Sequence, residues 1–223
     1  TPASVQAERA RIVALATKDA AAFCAAQPRR PDPALVAQAL AETRFRRWLA
    51  GVPDDVQLGA RQSELAMAAA EVCAALGKLS HTPPQPPGWD EARWQEARTG
   101  AGQSNLAMGG GLRAATSMWF HDSDAANIDR LGHRRWLLSP TLGAIGFGES
   151  GTAAAVHVFT TRKQAPDWIF IAWPPPGPVP AHYIAGDIAW HVTVNPKLYG
   201  KPRAPAALRI HPLDAAGKPG EPL

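Results

Sequence analysis

Three short segments of the chain carry the side chains best suited to proton transfer, metal ligation or nucleophilic attack. Leu79-Ser80-His81-Thr82 closes a helical pattern. Ser104-Asn105-Leu106-Ala107-Met108-Gly109 precedes a glycine-rich helix start. Gly132-His133-Arg134-Arg135-Trp136-Leu137-Leu138-Ser139-Pro140 runs on towards Ile145-Gly146-Phe147-Gly148. An imidazole can ligate a metal or move a proton near neutral pH, and a serine hydroxyl beside one can become a nucleophile. These residues are remote in sequence, so only the fold can bring them together.

Two other motifs suggest chemistry but lack its context. Gly146-Phe147-Gly148-Glu149-Ser150-Gly151 matches the G-x-G-x-x-G fingerprint. That fingerprint holds a pyrophosphate only when a helix N-terminus follows it. Here Ala153–Phe159 follows, with the alternation of a strand, so the spacing predicts a hairpin. Gly102-Gln103-Ser104 is half of a nucleophile elbow, without the second glycine or the preceding strand. No H-E-x-x-H is present, and neither Cys24 nor Cys73 belongs to a C-x-x-C.

The elements that must position these residues follow from periodicity. Residues 2–26 read as an alanine-rich helix with Val5, Ile12, Ala16 and Phe23 on one face. Gln27-Pro28-Arg29-Arg30-Pro31 ends it, and Asp32-Pro33 caps the next, which buries Val36, Leu40, Trp48 and Leu49 and stops at Gly51. A third helix near 59–78 repeats Leu65, Ala69, Val72, Leu76 and Leu79. The connector Pro83-Pro84-Gln85-Pro86-Pro87 leads to a short helix at 90–98, and Gly109-Gly110-Gly111 opens another containing Leu112, Ala115 and Trp119.

After residue 140 the period becomes that of strands. Ile145/Phe147 and Val156/Val158 alternate. Trp168–Trp173 reads as a central strand, Asp187–Val194 alternates, and Ala207–His211 gives a last short strand. Helices first and strands later predict an α+β fold with an antiparallel sheet.

Composition narrows the function. The 223 residues are 46% hydrophobic and 19% charged, with eight tryptophans, as a chain with a substantial core requires. No apolar run is long enough to cross a bilayer. The net charge of +4 is spread over pairs such as Arg29-Arg30, Arg46-Arg47 and Arg134-Arg135 rather than gathered in a stripe, which argues against nucleic acid as a partner. The remaining histidines, His121, His157, His182, His191 and His211, read as surface or hydrogen-bonded residues. Arg134 and Arg135 read as ion-paired or exposed, and Asn105 as a loop-holding amide.

Taken in order, five motifs resemble the CAP superfamily of cysteine-rich secretory, antigen 5 and pathogenesis-related proteins. They are Leu79-Ser80-His81; Gln103-Ser104-Asn105-Leu106 in place of Gly-Glu-Asn-Leu; Trp119-Phe120-His121-Asp122 in place of Trp-x-x-Glu; Gly132-His133; and Ile169-Phe170-Ile171-Ala172-Trp173 running into Pro174-Pro175-Pro176-Gly177. The resemblance, of bacterial type, covers 32–178. It implies a three-layer α/β/α sandwich, with 1–31 as an extra N-terminal helix and 179–223 as a C-terminal β extension. It implies a secreted or periplasmic protein whose leader has been removed, and in that compartment a Cys24–Cys73 disulfide is the expected state.

The resemblance also implies a cleft lined by His81, Ser104, Asp122 and His133, two of them departures from the family's pair of acids. No cofactor is required. Zinc or another divalent metal is admitted, held by His81, His133 and Asp122, with affinity lowered by the missing acid at Ser104. Three functions stay open at this point: binding of a lipid, glycan or protein ligand without catalysis; a metal-linked activity; and a hydrolase with Ser104 as nucleophile, His81 or His133 as base and Asp122 as orienter.

Overall fold

The computed structural model describes residues 2–27, 32–164, 166–177, 179–184 and 186–200, together with 209, 211, 214, 216 and 218–222. Helices form where the apolar period is near 3.6: α1 (Pro2–Ala25), α2 (Pro33–Leu49), α3 (Ala60–Leu76), α4 (Glu91–Gly102), α5 (Gly111–His121) and α6 (Gly132–Leu137). Asp32 and Asp90 cap α2 and α4, their carboxylates accepting from the backbone N–H groups of Ala34 and Arg93. Gly77 ends α3 in the left-handed conformation that suits a residue without Cβ.

The main sheet orders its strands β1-β3-β4-β2, with β1 (Gln57–Leu58), β2 (Ser104–Met108), β3 (Ala144–Ser150) and β4 (Ala153–His157). β3 and β4 form the expected hairpin around Gly151-Thr152, and β2 runs antiparallel to β4. The expected α+β class holds, and the sheet is antiparallel except that β1 lies parallel to β3. A parallel neighbour needs a crossover, and residues 59–143 with their helices supply it.

Two apolar cores lie on the two faces of the sheet. Leu106, Ala153 and Ala155 face α3 and α4. Ala107, Ile145, Phe147, Ala154 and Val156 face α1, α2 and α5. Alternation along each strand divides the residues in this way. The cysteines fall on opposite sides of this division, Cys24 in the α1–α2–α5 core and Cys73 in the α3–α4 core. Both are free, and the expected disulfide is not formed.

The apolar run before the prolines is also placed differently from expectation. Among the described residues its strand, β5 (Phe170–Trp173), pairs only with β6 (His191–Val194), in a separate two-stranded sheet. Ile171 and Trp173 are buried while Ile169 and Phe170 are exposed, so a continuous apolar sequence is here covered on one face only.

The chain divides into two compact units, 1–193 and 194–223. In the second, Asn195 caps the short α7 (Pro196–Tyr199) by accepting from Lys197 N. Farther on, Asp214 Oδ1 accepts from the N–H groups of Ala216 and Lys218. The strand expected at Ala207–His211 falls largely outside the described residues.

The Gly-Phe-Gly-Glu stretch of β3 organises the first unit. A Cβ on Gly146 would strike the α3 backbone at Gln62 and Ser63, and one on Gly148 would strike it at Ala66 and Met67. Between them Phe147 fills the opposite core, and Glu149 accepts from Leu112 N at the start of α5. Replacing Gly146 or Gly148 by alanine should therefore lower unfolding stability by about 3 kcal/mol through overpacking against a rigid backbone. Gly132→Ala, where a Cβ meets nothing within 4 Å, should leave stability unchanged or raise it by up to about 1 kcal/mol. Urea titrations of the three variants decide this; equal losses at all three sites would refute it.

Candidate functional site

A cleft of about 470 Å³ opens beside the end of α3, β2, α5 and the start of α6. Leu79, Leu106, Ala107, Met108, Met118 and Trp119 give it apolar walls. His81, Asn127, Arg130 and His133 add polar groups.

His81 lies just beyond α3, where its ring Nδ1 meets the carbonyl of Ala101 at 2.8 Å. A carbonyl only accepts, so Nδ1 carries the proton and the lone pair sits on Nε2. His133 is the second residue of α6, with its Nδ1 2.8 Å from Asp122 Oδ1. A carboxylate again selects the Nδ1–H tautomer, and among the described residues neither Nε2 has a protein partner. Two imidazoles of the same tautomer therefore line one cleft.

The other two expected residues stand outside it. Asp122 ends α5 with a positive φ of 49°, which turns its carboxylate back under α6. It is fully enclosed, with Oδ1 on His133 and Oδ2 accepting from Arg134 N at 3.1 Å, so it supports the ring of His133 from behind. Ser104 is buried on the α3–α4 side of β2, in register with His157, and its Oγ has no hydrogen-bond partner. Neither His81 nor His133 reaches it, so no serine–histidine pair exists. The neighbouring Asn105 points to the other face and donates Nδ2 to the carbonyl of His133, the positioning expected of it.

Among the described residues no three His, Cys, Asp or Glu side chains gather as a metal would require. The expected set of His81, His133 and Asp122 is therefore not assembled, because both Asp122 oxygens are engaged by hydrogen bonds.

Arg134 corrects the expectation of an ion-paired or surface arginine. It is fully buried and donates to the carbonyls of Phe120, His121 and Ala189 and to His191 Nδ1. Its guanidinium thus ties the end of α5 to the start of β6 around the Asp122 turn.

The motif reading did not anticipate Asp124, Asn127 and Arg130 at the cleft. They lie on the turn between Asp122 and Leu131, the two non-glycine residues of positive φ among the described residues. Asn127 Nδ2 holds the Asp124 carboxyl below its usual range, with smaller contributions from Ala126 N–H and the nearby His133. The polar run Asp122-Ser123-Asp124 was the only signal of this wall in the sequence.

No family model, curated protein or solved structure matches the chain.

Two outcomes are expected of this network. Asp122→Asn replaces an acceptor of two N–H groups by an amide that can accept from only one, leaving an N–H facing an N–H. Stability should fall by about 2 kcal/mol, and nitrogen NMR should show His133 losing its single Nδ1–H tautomer; a ring that keeps it would contradict the assignment. His191 is pushed down to about 4 by burial, the charges of Arg134 and Arg135 adding to the effect. Unfolded, it titrates at about 6.5, so the unfolded chain takes up the proton first. The stability from burying the neutral ring is complete above about pH 6.5 and is lost as pH falls towards about 4. Urea midpoints should drop across that window in the wild type and drop less in His191→Asn; identical profiles would remove His191 from the account.

Proposed function

We propose that the chain is an exported CAP-type domain whose two-histidine cleft binds a small amphipathic ligand of the lipid class without turning it over. The single observation that carries this reading is the cleft itself, where two imidazole Nε2 atoms of fixed tautomer stand among thioether, indole and aliphatic walls. Apolar walls with a few convergent polar groups suit a ligand with a hydrocarbon body and a polar head. Arg130 beside the histidines favours an anionic head. The order of the five sequence motifs and the two helical layers around one sheet support the CAP-type assignment, and export follows from that assignment. Binding rather than hydrolysis is favoured because Ser104 is enclosed and has no base.

A second reading has its own support. A metal-bound histidine commonly gives its other ring nitrogen to a carboxylate or carbonyl, as both His81 and His133 do. His81 and His133 would hold a divalent ion through Nε2, and the ion would polarise a ligand's head group.

Titration with a dansyl-labelled fatty acid tests the first reading and melting with zinc the second. The fluorophore should bind saturably to wild type, and at least about tenfold more weakly to Met118→Glu, which sets a charge on an apolar wall. His81→Ala/His133→Ala should weaken it less. Wild-type fluorescence that never saturates would reject the lipid ligand. Zinc raising the melting temperature of wild type but not of the double variant would support the metal reading, and identical melts with and without zinc would reject it.

A further inference from the structure

We propose that a second pocket, between α1, α2, α5 and the turn at 181–183, is a binding site for a small tetrahedral oxyanion of the phosphate or sulfate class. The pocket is distinct from the histidine cleft, and the inference does not depend on the cleft's ligand.

The argument is one of charge. Three arginines, Arg9, Arg46 and Arg113, line the pocket together with His182, and Glu42 is the sole carboxylate among its lining residues. That carboxylate is already shared: Oε1 takes Arg9 Nη2 at 3.2 Å, and Oε2 takes Arg46 Nη1 at 2.8 Å and the hydroxyl of Tyr183 at 3.1 Å. It can neutralise one of the two guanidinium groups it touches. Arg113 is exposed and has no ion-pair partner among the described residues. The pocket therefore carries about two uncompensated positive charges.

Arg46 is also rigid. It is buried, with its guanidinium 4.8 Å from the Phe120 ring centre and 4.7 Å from that of Tyr183. Two rings fix its plane, and its second terminal nitrogen reaches only Ser117 Oγ, at a long 3.4 Å. A buried cation with incomplete partners is costly unless another anion completes its shell. Burial lowers the affinity of this guanidinium for its proton, Glu42 opposing the effect. Arg9, Arg46 and Arg113 come from three different helices to one space, so their donors can approach from several sides, as a tetrahedral oxyanion needs. The space is about 210 Å³, smaller than the ~300 Å³ at which drug-sized ligand sites begin, and it is lined mainly by polar atoms.

The test is a set of thermal melts in phosphate, sulfate and chloride at equal ionic strength, on the whole chain. Phosphate or sulfate should raise the wild-type melting temperature saturably, where chloride does not. Arg113→Gln, at an exposed position and checked for its fold by circular dichroism, should weaken that response about tenfold, the effect of one charge-assisted contact. Arg130→Gln, in the histidine cleft, should leave it unchanged. Equal melts in the three salts would overturn the proposal. So would an oxyanion response that is undiminished in Arg113→Gln or disappears in Arg130→Gln.

Discussion

Helix α3 lies against β3 more closely than any side chains between them would permit, and much of the first unit's geometry follows from that contact. At Gly146 and Gly148 the strand offers bare backbone, and at Gly100 α4 does the same to the carbonyl of Leu65. The helix answers with small residues, Ala66, Ala69, Ala70 and Cys73. Backbones held so near leave no room for sliding or rotation, because protein interiors are close-packed and resist small changes of volume. The end of α3 is thereby fixed, and His81 beyond it meets α4 at the Ala101 carbonyl. The same strand, through Glu149, caps α5, whose far end carries Asp122. One stretch of four residues thus governs the approach to both histidines.

Around Asp122 the stabilising currency is different. A carboxylate with no exposure would be expensive if unpaired, and here it accepts from a ring N–H and a backbone N–H. Arg134, equally buried, finds carbonyls rather than carboxylates. Such hydrogen bonds to buried charge fix direction more firmly than the exposed pairs elsewhere, such as Arg93 with Glu71, which contribute little. The result is an imidazole with one orientation and one tautomer, held by parts of the chain that do not line the cleft.

Much of this organisation was legible in the sequence. Helical periods, the Asp32 and Asp90 starts and the β3–β4 hairpin follow from local rules, and those rules act here without a tertiary override. His81, His133 and Trp119 could be placed together only through the order of motifs, since no local signal links them. Ser104 misled because its residue type suits a nucleophile, while strand alternation turns it under α3. Arg134 misled because a sequence shows charge and not the carbonyls that a buried guanidinium will meet. The run from Trp168 to Trp173 read as doubly covered, yet only its odd-numbered residues Ile171 and Trp173 are enclosed. Arg46, between two rings contributed by distant segments, had no signature at all.

The division of the molecule into two cores has a consequence for its production. Cys24 and Cys73 are enclosed on opposite faces of the sheet, and burial raises both thiols above their ordinary range. Thiolate is the reactive form, so both should be slow towards oxidants and alkylating agents while the fold is intact. Neither cysteine is bridged in this structure, so these two thiols need no oxidant. With the two thiols on opposite faces of the sheet, a bridged species in a preparation would mark molecules that had opened first.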